Sequence, residues 1–120
     1  MTLIDANVIL RYILNDIPKQ AEQASKIIEK GAFTHNEIIA EVIYVLVKLY
    51  QIPRKKIKDI LCPLLEEVQM DQKEVISFAI EKFSDTKFDF VDCILLALKK
   101  ILHDDIFTFD KKLSNQLKRI

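Results

Sequence analysis

Five acidic residues stand where a carboxylate could do more than dissolve a surface: Asp5, Glu41, Asp89, Asp92 and Asp110. Asp5 directly follows the strand-like run Thr2-Leu3-Ile4, and Asp110 follows Ile106-Phe107-Thr108-Phe109. In open parallel sheets ligands bind beyond the carboxyl ends of the strands, so two central parallel strands would bring these two acids to one edge. Taken singly, each is explained as well by capping the helix after it. Asp92 is harder to explain away. It is the only charged residue between Phe90 and Leu98, on a helical stretch that is otherwise apolar, so its carboxylate is expected to lie at least partly out of water. Asp89, three positions earlier, shares its face, and two carboxylates so placed repel unless a cation or a proton lies between them. Glu41 borders the apolar face of its own helix, beside the polar stripe of Glu37, Tyr44 and Lys48, and from pattern alone a solvated role accounts for it.

The elements that must position these acids alternate along the chain. Thr2 to Ile4 reads as a short buried strand, and Asn7 opens a helical pattern through Val8, Ile9, Tyr12 and Ile13. The turn Asn15-Asp16-Ile17-Pro18 supplies a cap and a first-turn proline for a helix to about Lys30, which Gly31 ends. Ala32 to Thr34 is the natural second strand, and Asn36 is expected to cap a long helix with Ile38, Ile39, Val42, Val45, Leu46 and Leu49 on one face. Another helix starts near Pro53, with Pro63 expected to kink or interrupt it. Val68 to Met70 reads as a third strand, and Asp71 with Glu74 as the capping box of a helix to about Phe83. Phe88 to Leu102 is a deeply buried helix, Ile106 to Phe109 a last strand, and Lys111 to Ile120 a closing helix. The alternation predicts an α/β fold, with a parallel sheet covered on both faces.

Composition narrows the class of function. The chain has 120 residues, half of them apolar, which is enough for one sizeable core and too little for two ordinary domains, so residues 1–120 are read as a single domain. A single glycine leaves no material for glycine-rich phosphate loops, and any ligand site must rest on side chains. Eighteen basic and eighteen acidic residues cancel, so a nucleic-acid role needs local charge or bridging cations. Cys62 and Cys93 lie far apart in apolar or helical stretches and read as buried thiols in a reducing compartment. No apolar run is long enough to cross a bilayer and no leader pattern opens the chain, so a soluble, cytoplasmic protein is expected.

Leu3-Ile4-Asp5-Ala6-Asn7-Val8-Ile9-Leu10-Arg11 resembles the Asp-x-Asn-Val opening of PIN-domain ribonucleases of the VapC toxin type. Ala40-Glu41-Val42-Ile43-Tyr44-Val45-Leu46 is similar to their second motif, Asp89-Phe90-Val91-Asp92 with its apolar helix to the third, and Thr108-Phe109-Asp110 to the fourth. Order and spacing match over essentially the full length. The resemblance implies a three-layer α/β/α sandwich with a short parallel sheet of about four strands. It implies that Asp5, Glu41, Asp92 and Asp110 gather around one or two magnesium or manganese ions. Asn7 and Thr108 match polar positions supporting the first and last acids, and Asp89 matches an auxiliary acid. Oxygen ligands suit hard divalent ions, which activate water for in-line attack on phosphorus. On this footing Asp5 and Asp92 are the principal ligands, Glu41 completes or bridges the site, and Asp110 holds a second ion or orients the attacking water. The resemblance further implies an RNA substrate, a small VapB-like antitoxin whose peptide covers the acids, and a homodimer.

Arg54, Lys55, Lys56 and Lys58 crowd a helix start, where the macrodipole disfavours cations, so helix stability does not explain them. Contact with RNA phosphates is one reading and a solvated face the other. Arg11, on the first motif's helix, is a further candidate for RNA or for a neighbouring chain. His35 and His103 have no metal-spaced partner. Two other classes compete: a PIN fold that has lost catalysis and acts as a protein-interaction module, and an aspartate-based phosphatase. The phosphatase is disfavoured because the second acid of its Asp-x-Asp opening is Asn7 here.

Overall fold

Three parallel strands in the order β1-β2-β3 run through the computed structural model, which describes residues 1–120. They are β1 (Thr2–Leu3), β2 (Ala32–Thr34) and β3 (Gln69–Met70), with Leu3 paired to Phe33 and Thr34 to Met70. Between β1 and β2 lie α1 (Ala6–Leu14) and α2 (Pro18–Lys30), and between β2 and β3 lie α3 (Asn36–Lys48) and α4 (Arg54–Glu67). The chain then finishes in helices: α5 (Lys73–Asp85), α6 (Phe90–Leu102) and α7 (Lys111–Lys118). Parallel pairing demands such crossovers, and each is a helical hairpin.

Local chemistry explains most of the boundaries. Asp5 caps α1 by accepting the Val8 amide at 3.0 Å, and Asn15 closes the helix in the left-handed conformation that Asn tolerates. Pro18 fills the first position of α2, where a missing N–H costs nothing. Gly31 ends it at φ 113°, a value open to glycine and strained for any other residue. Pro63 lies inside α4 on its exposed side without ending it, so the expected interruption does not occur.

At α2 the cap falls within the expected turn, on the neighbour of Asp16, and two further expected caps are not formed. The capping residue of α2 is Ile17, while Asp16 pairs with Arg11 at 3.5 Å. Helix α3 starts from His35, and Asn36 is its first helical residue. Helix α5 starts from Gln72 in the left-handed region with no side-chain cap, so the Asp71–Glu74 box is not formed.

The larger correction concerns the last strand. Residues 105–109 form no strand, and none of them makes a backbone–backbone hydrogen bond. The expected sheet of about four strands therefore has three. Ile106 alone of the run's large side chains is drawn inward, while Phe107 and Phe109 stand 82% and 90% exposed, edge to face with each other. An apolar run satisfies a strand pattern locally, but only a partner ladder makes it a strand.

One core joins sheet and helices. Ile4, Ile9, Ile39, Ile43, Leu46, Ile57, Leu61, Leu64, Ile76 and Ile80 are fully buried within it. Thr34 is the single buried polar residue, and its hydroxyl donates to the Ile4 carbonyl at 3.1 Å, which satisfies the group and ties β2 to the end of β1. A second cluster of Leu96, Leu113 and Leu117 docks α7 onto α6. Cys93 is buried and Cys62 half-buried, both as free thiols. Burial pushes the Cys93 thiol up to about 11, against smaller opposing effects of Thr86 and Arg54. Its thiolate is therefore scarce at neutral pH. Iodoacetamide at about pH 8 should label Cys62 first and Cys93 only on unfolding. Equal labelling of both in native protein, read by mass spectrometry, would contradict this burial.

Candidate active site

Three of the five acids sit at the same kind of place, the residue before a helix. Asp5 caps α1, Asp89 caps α6 by accepting the Asp92 amide at 2.8 Å, and Asp110 caps α7 by accepting the Leu113 amide at 3.0 Å. Each carboxylate is oriented by one oxygen on a backbone N–H, and the capping explanation considered from the sequence is thus realised at all three. The Asp110 amide in turn donates to the Thr108 hydroxyl at 3.1 Å, so Thr108 fixes the entry to the last acid. Capping leaves the second oxygen of each carboxylate outside that bond.

Asp92 occupies the first turn of α6, half-buried. A helix start favours an acid there. The opposite effects win: desolvation, then the charges of Asp89 and Asp110, raise its carboxyl above the ordinary range. Asp89, Asp92 and Asp110 therefore share one electrostatic environment although up to 21 positions separate them in sequence. Glu41 is exposed on α3, which packs against both α1 and α6. Between α3 and α6 opens a cleft of about 400 Å³ that is mostly apolar and lined by Ala40, Tyr44, Asp89 and Val91, the sequence neighbours of Glu41 and Asp92 among them.

Two candidate basic contacts have structural partners. Arg54 lies against the α5–α6 connection, where its guanidinium donates to the carbonyls of Phe83 at 3.2 Å, Thr86 at 3.0 Å and Lys87 at 3.2 Å, and also to that of Phe88. It stacks over the Phe83 ring at 4.0 Å. Lys55 and Lys56 remain the exposed part of that basic cluster. Arg11 donates to the Tyr50 hydroxyl at 3.2 Å and pairs with Asp16, in a pocket that Asn7 also lines. No local pattern signals the Arg54 clamp, because its acceptors are backbone carbonyls 29 to 34 residues away.

As a donor set, carboxylates crowded enough to raise Asp92 suit a hard divalent ion. Their geometry is less complete: no three His, Cys, Asp or Glu side chains stand together in a way that could hold a metal ion. The structure brings Asp92 under the charge of Asp89 and Asp110.

Fold and site together define a small α/β domain whose helix starts present carboxylates. The PIN domain family model matches residues 2–117, nearly the whole chain, and the chain belongs to that family. PIN domains are generally nucleases and typically use divalent metals. No curated protein and no solved structure matches the chain. No helix is long and apolar enough to cross a membrane.

Proposed function

We propose that this protein is a divalent-metal-dependent ribonuclease that hydrolyses RNA phosphodiesters internally, and that it acts as the VapC-type toxin of a toxin–antitoxin pair. The observation that carries the reading is the PIN family match over residues 2–117, joined by the like charges of Asp89 and Asp110 acting on Asp92, an arrangement that costs stability unless something positive joins it. Magnesium or manganese, as one ion or two, would be held by Asp5 and Asp92, with Glu41 completing or bridging the site and Asp110 beside it, and would activate water and offset charge on the phosphate. Asp89 holds the first turn of α6, and so the Asp92 backbone, in place through its cap. Thr108 does the same for Asp110, and Asn7, two residues past Asp5 in the first turn of α1, would support Asp5. RNA phosphates would meet Lys55 and Lys56, the free lysines of the basic cluster.

The toxin role brings two partners: a small VapB-like antitoxin that covers the acids, and a second copy of this chain in a homodimer. Its setting would be the cytoplasm. A second reading, a PIN fold acting only through protein contacts, is favoured by the incomplete grouping of the acids.

One experiment separates the two readings. Protein stripped with EDTA and freed of co-purifying partner should leave a defined RNA intact, and micromolar to millimolar manganese or magnesium should restore cleavage. No cleavage with either ion, over a range of RNAs, would leave the interaction module as the reading.

A further inference from the structure

A pocket of about 260 Å³ opens between α1 and α2, lined on one side by the first turns of the helix that Asp5 caps. Its polar lining is Asn7, Arg11, Gln20 and Gln23, with Val8 and Ile27 among its apolar wall. Asn7 lies two residues past Asp5, and Val8 is the residue whose amide holds the Asp5 carboxylate, so pocket and carboxylate share one helical turn. Arg11 is held in place by the Tyr50 hydroxyl and Asp16, and its Nε is buried with no hydrogen-bond partner.

We infer that this pocket receives a nucleobase of the RNA strand flanking the bond that is cut, and that Asn7, Gln20 and Gln23 set which base is accepted. The inference rests on the nuclease reading for the presence of RNA, and on the pocket's own chemistry for the choice of ligand. A phosphate would require uncompensated positive charge, whereas the one cation here is already paired with Asp16. What remains is a neutral cavity bearing three side-chain amides. Each amide offers a donor and an acceptor side by side, the pattern that reads the edge of a base. The apolar wall suits the face of a heteroaromatic ring, and a base of single-stranded RNA is free to leave its stack and enter. Arg11, which lines the pocket, also carries a buried Nε donor that has no partner.

Gln20 and Gln23 are exposed on α2, so their replacement should spare the fold. Two measurements on the full chain test the inference. First, binding of fluorescent oligo-A, oligo-C, oligo-G and oligo-U to Asp92→Asn protein in EDTA should differ between the four by about tenfold. Adding Gln20→Ala and Gln23→Ala should flatten that difference, while Glu22→Ala on the same helix should not. Second, cleavage of a randomised RNA should show a preferred base at one position beside the cut, and the Gln20→Ala/Gln23→Ala enzyme should lose or change it. Unchanged discrimination in the double variant, with an unchanged melting temperature, overturns the pocket's role. If the wild type cuts no RNA, the nuclease reading fails while the binding measurement still decides the pocket. Equal binding of all four oligomers by the Asp92→Asn protein also overturns it.

Discussion

Replacing Asp92 by Asn is expected to lower divalent-dependent RNA cleavage by more than about 100-fold, beyond the roughly 10–100-fold that altering an outer partner of a metal ligand costs. The same substitution is expected to make the metal-free protein more stable at neutral pH. Asp92 has a folded-state carboxyl raised by burial and by the charges of Asp89 and Asp110. Below the unfolded pKa the group is protonated in both states and costs nothing. As pH rises through the folded pKa the native state must take on an unfavourable charge, and the penalty is complete above it. Asn carries no charge at any pH. The variant's melting temperature should therefore exceed that of the wild type near pH 7 in EDTA, by no more than a few degrees because the group is partly solvated. The gain should fade as pH approaches about 3. Manganese should narrow the difference from the other side by stabilising the wild type alone. A variant that is active, or that is destabilised at neutral pH by as much as it is at acid pH, would remove Asp92 from the acidic centre.

The second large effect lies away from the acids. Arg54→Met should lower the melting temperature by roughly 10 °C. The guanidinium satisfies carbonyls at Phe83, Thr86, Lys87 and Phe88, and removing it leaves several part-buried acceptors without a donor, at an expected cost of roughly 2–4 kcal/mol. Arg54→Lys should recover little, since an ammonium cannot spread over four acceptors or stack on Phe83 as a planar guanidinium does. The connection that Arg54 holds ends at Asp89, the cap of α6. In variant protein kept cold and folded, the manganese midpoint for cleavage should rise by roughly tenfold, the scale of a lost outer-shell support. A melting temperature within about 2 °C of the wild type would show that the clamp carries little energy, and an unchanged manganese midpoint that it does not reach the site.

Much of the fold was legible because it is written in local rules. Asp5, Pro18, Gly31 and the apolar stripes fixed helix starts, ends and inward faces, and the alternation of short apolar runs with helices gave a parallel sheet. The partial withdrawal of Asp92 from water was also readable, from one charge in an apolar stretch. Pairing was not readable. Ile106 to Phe109 has the residues of a strand and lacks a partner, and Asp71 and Glu74 have the spacing of a capping box that α5 does not use. Both outcomes depend on what stands opposite in space.

The same division governs the site. Sequence alone singled out the acids proposed to carry the chemistry, because a carboxylate's charge, its capping bond and its place on a helix are properties of a few adjacent residues. Only the tertiary structure decided that Asp110 lies within the field of Asp92, that Arg54 is spent on carbonyls some 30 residues away, and that Gln20 and Gln23 face Asn7 and Arg11 across one cavity. Those are meetings between distant segments, set by how helices pack on a shared core, and no short-range pattern along the chain encodes them.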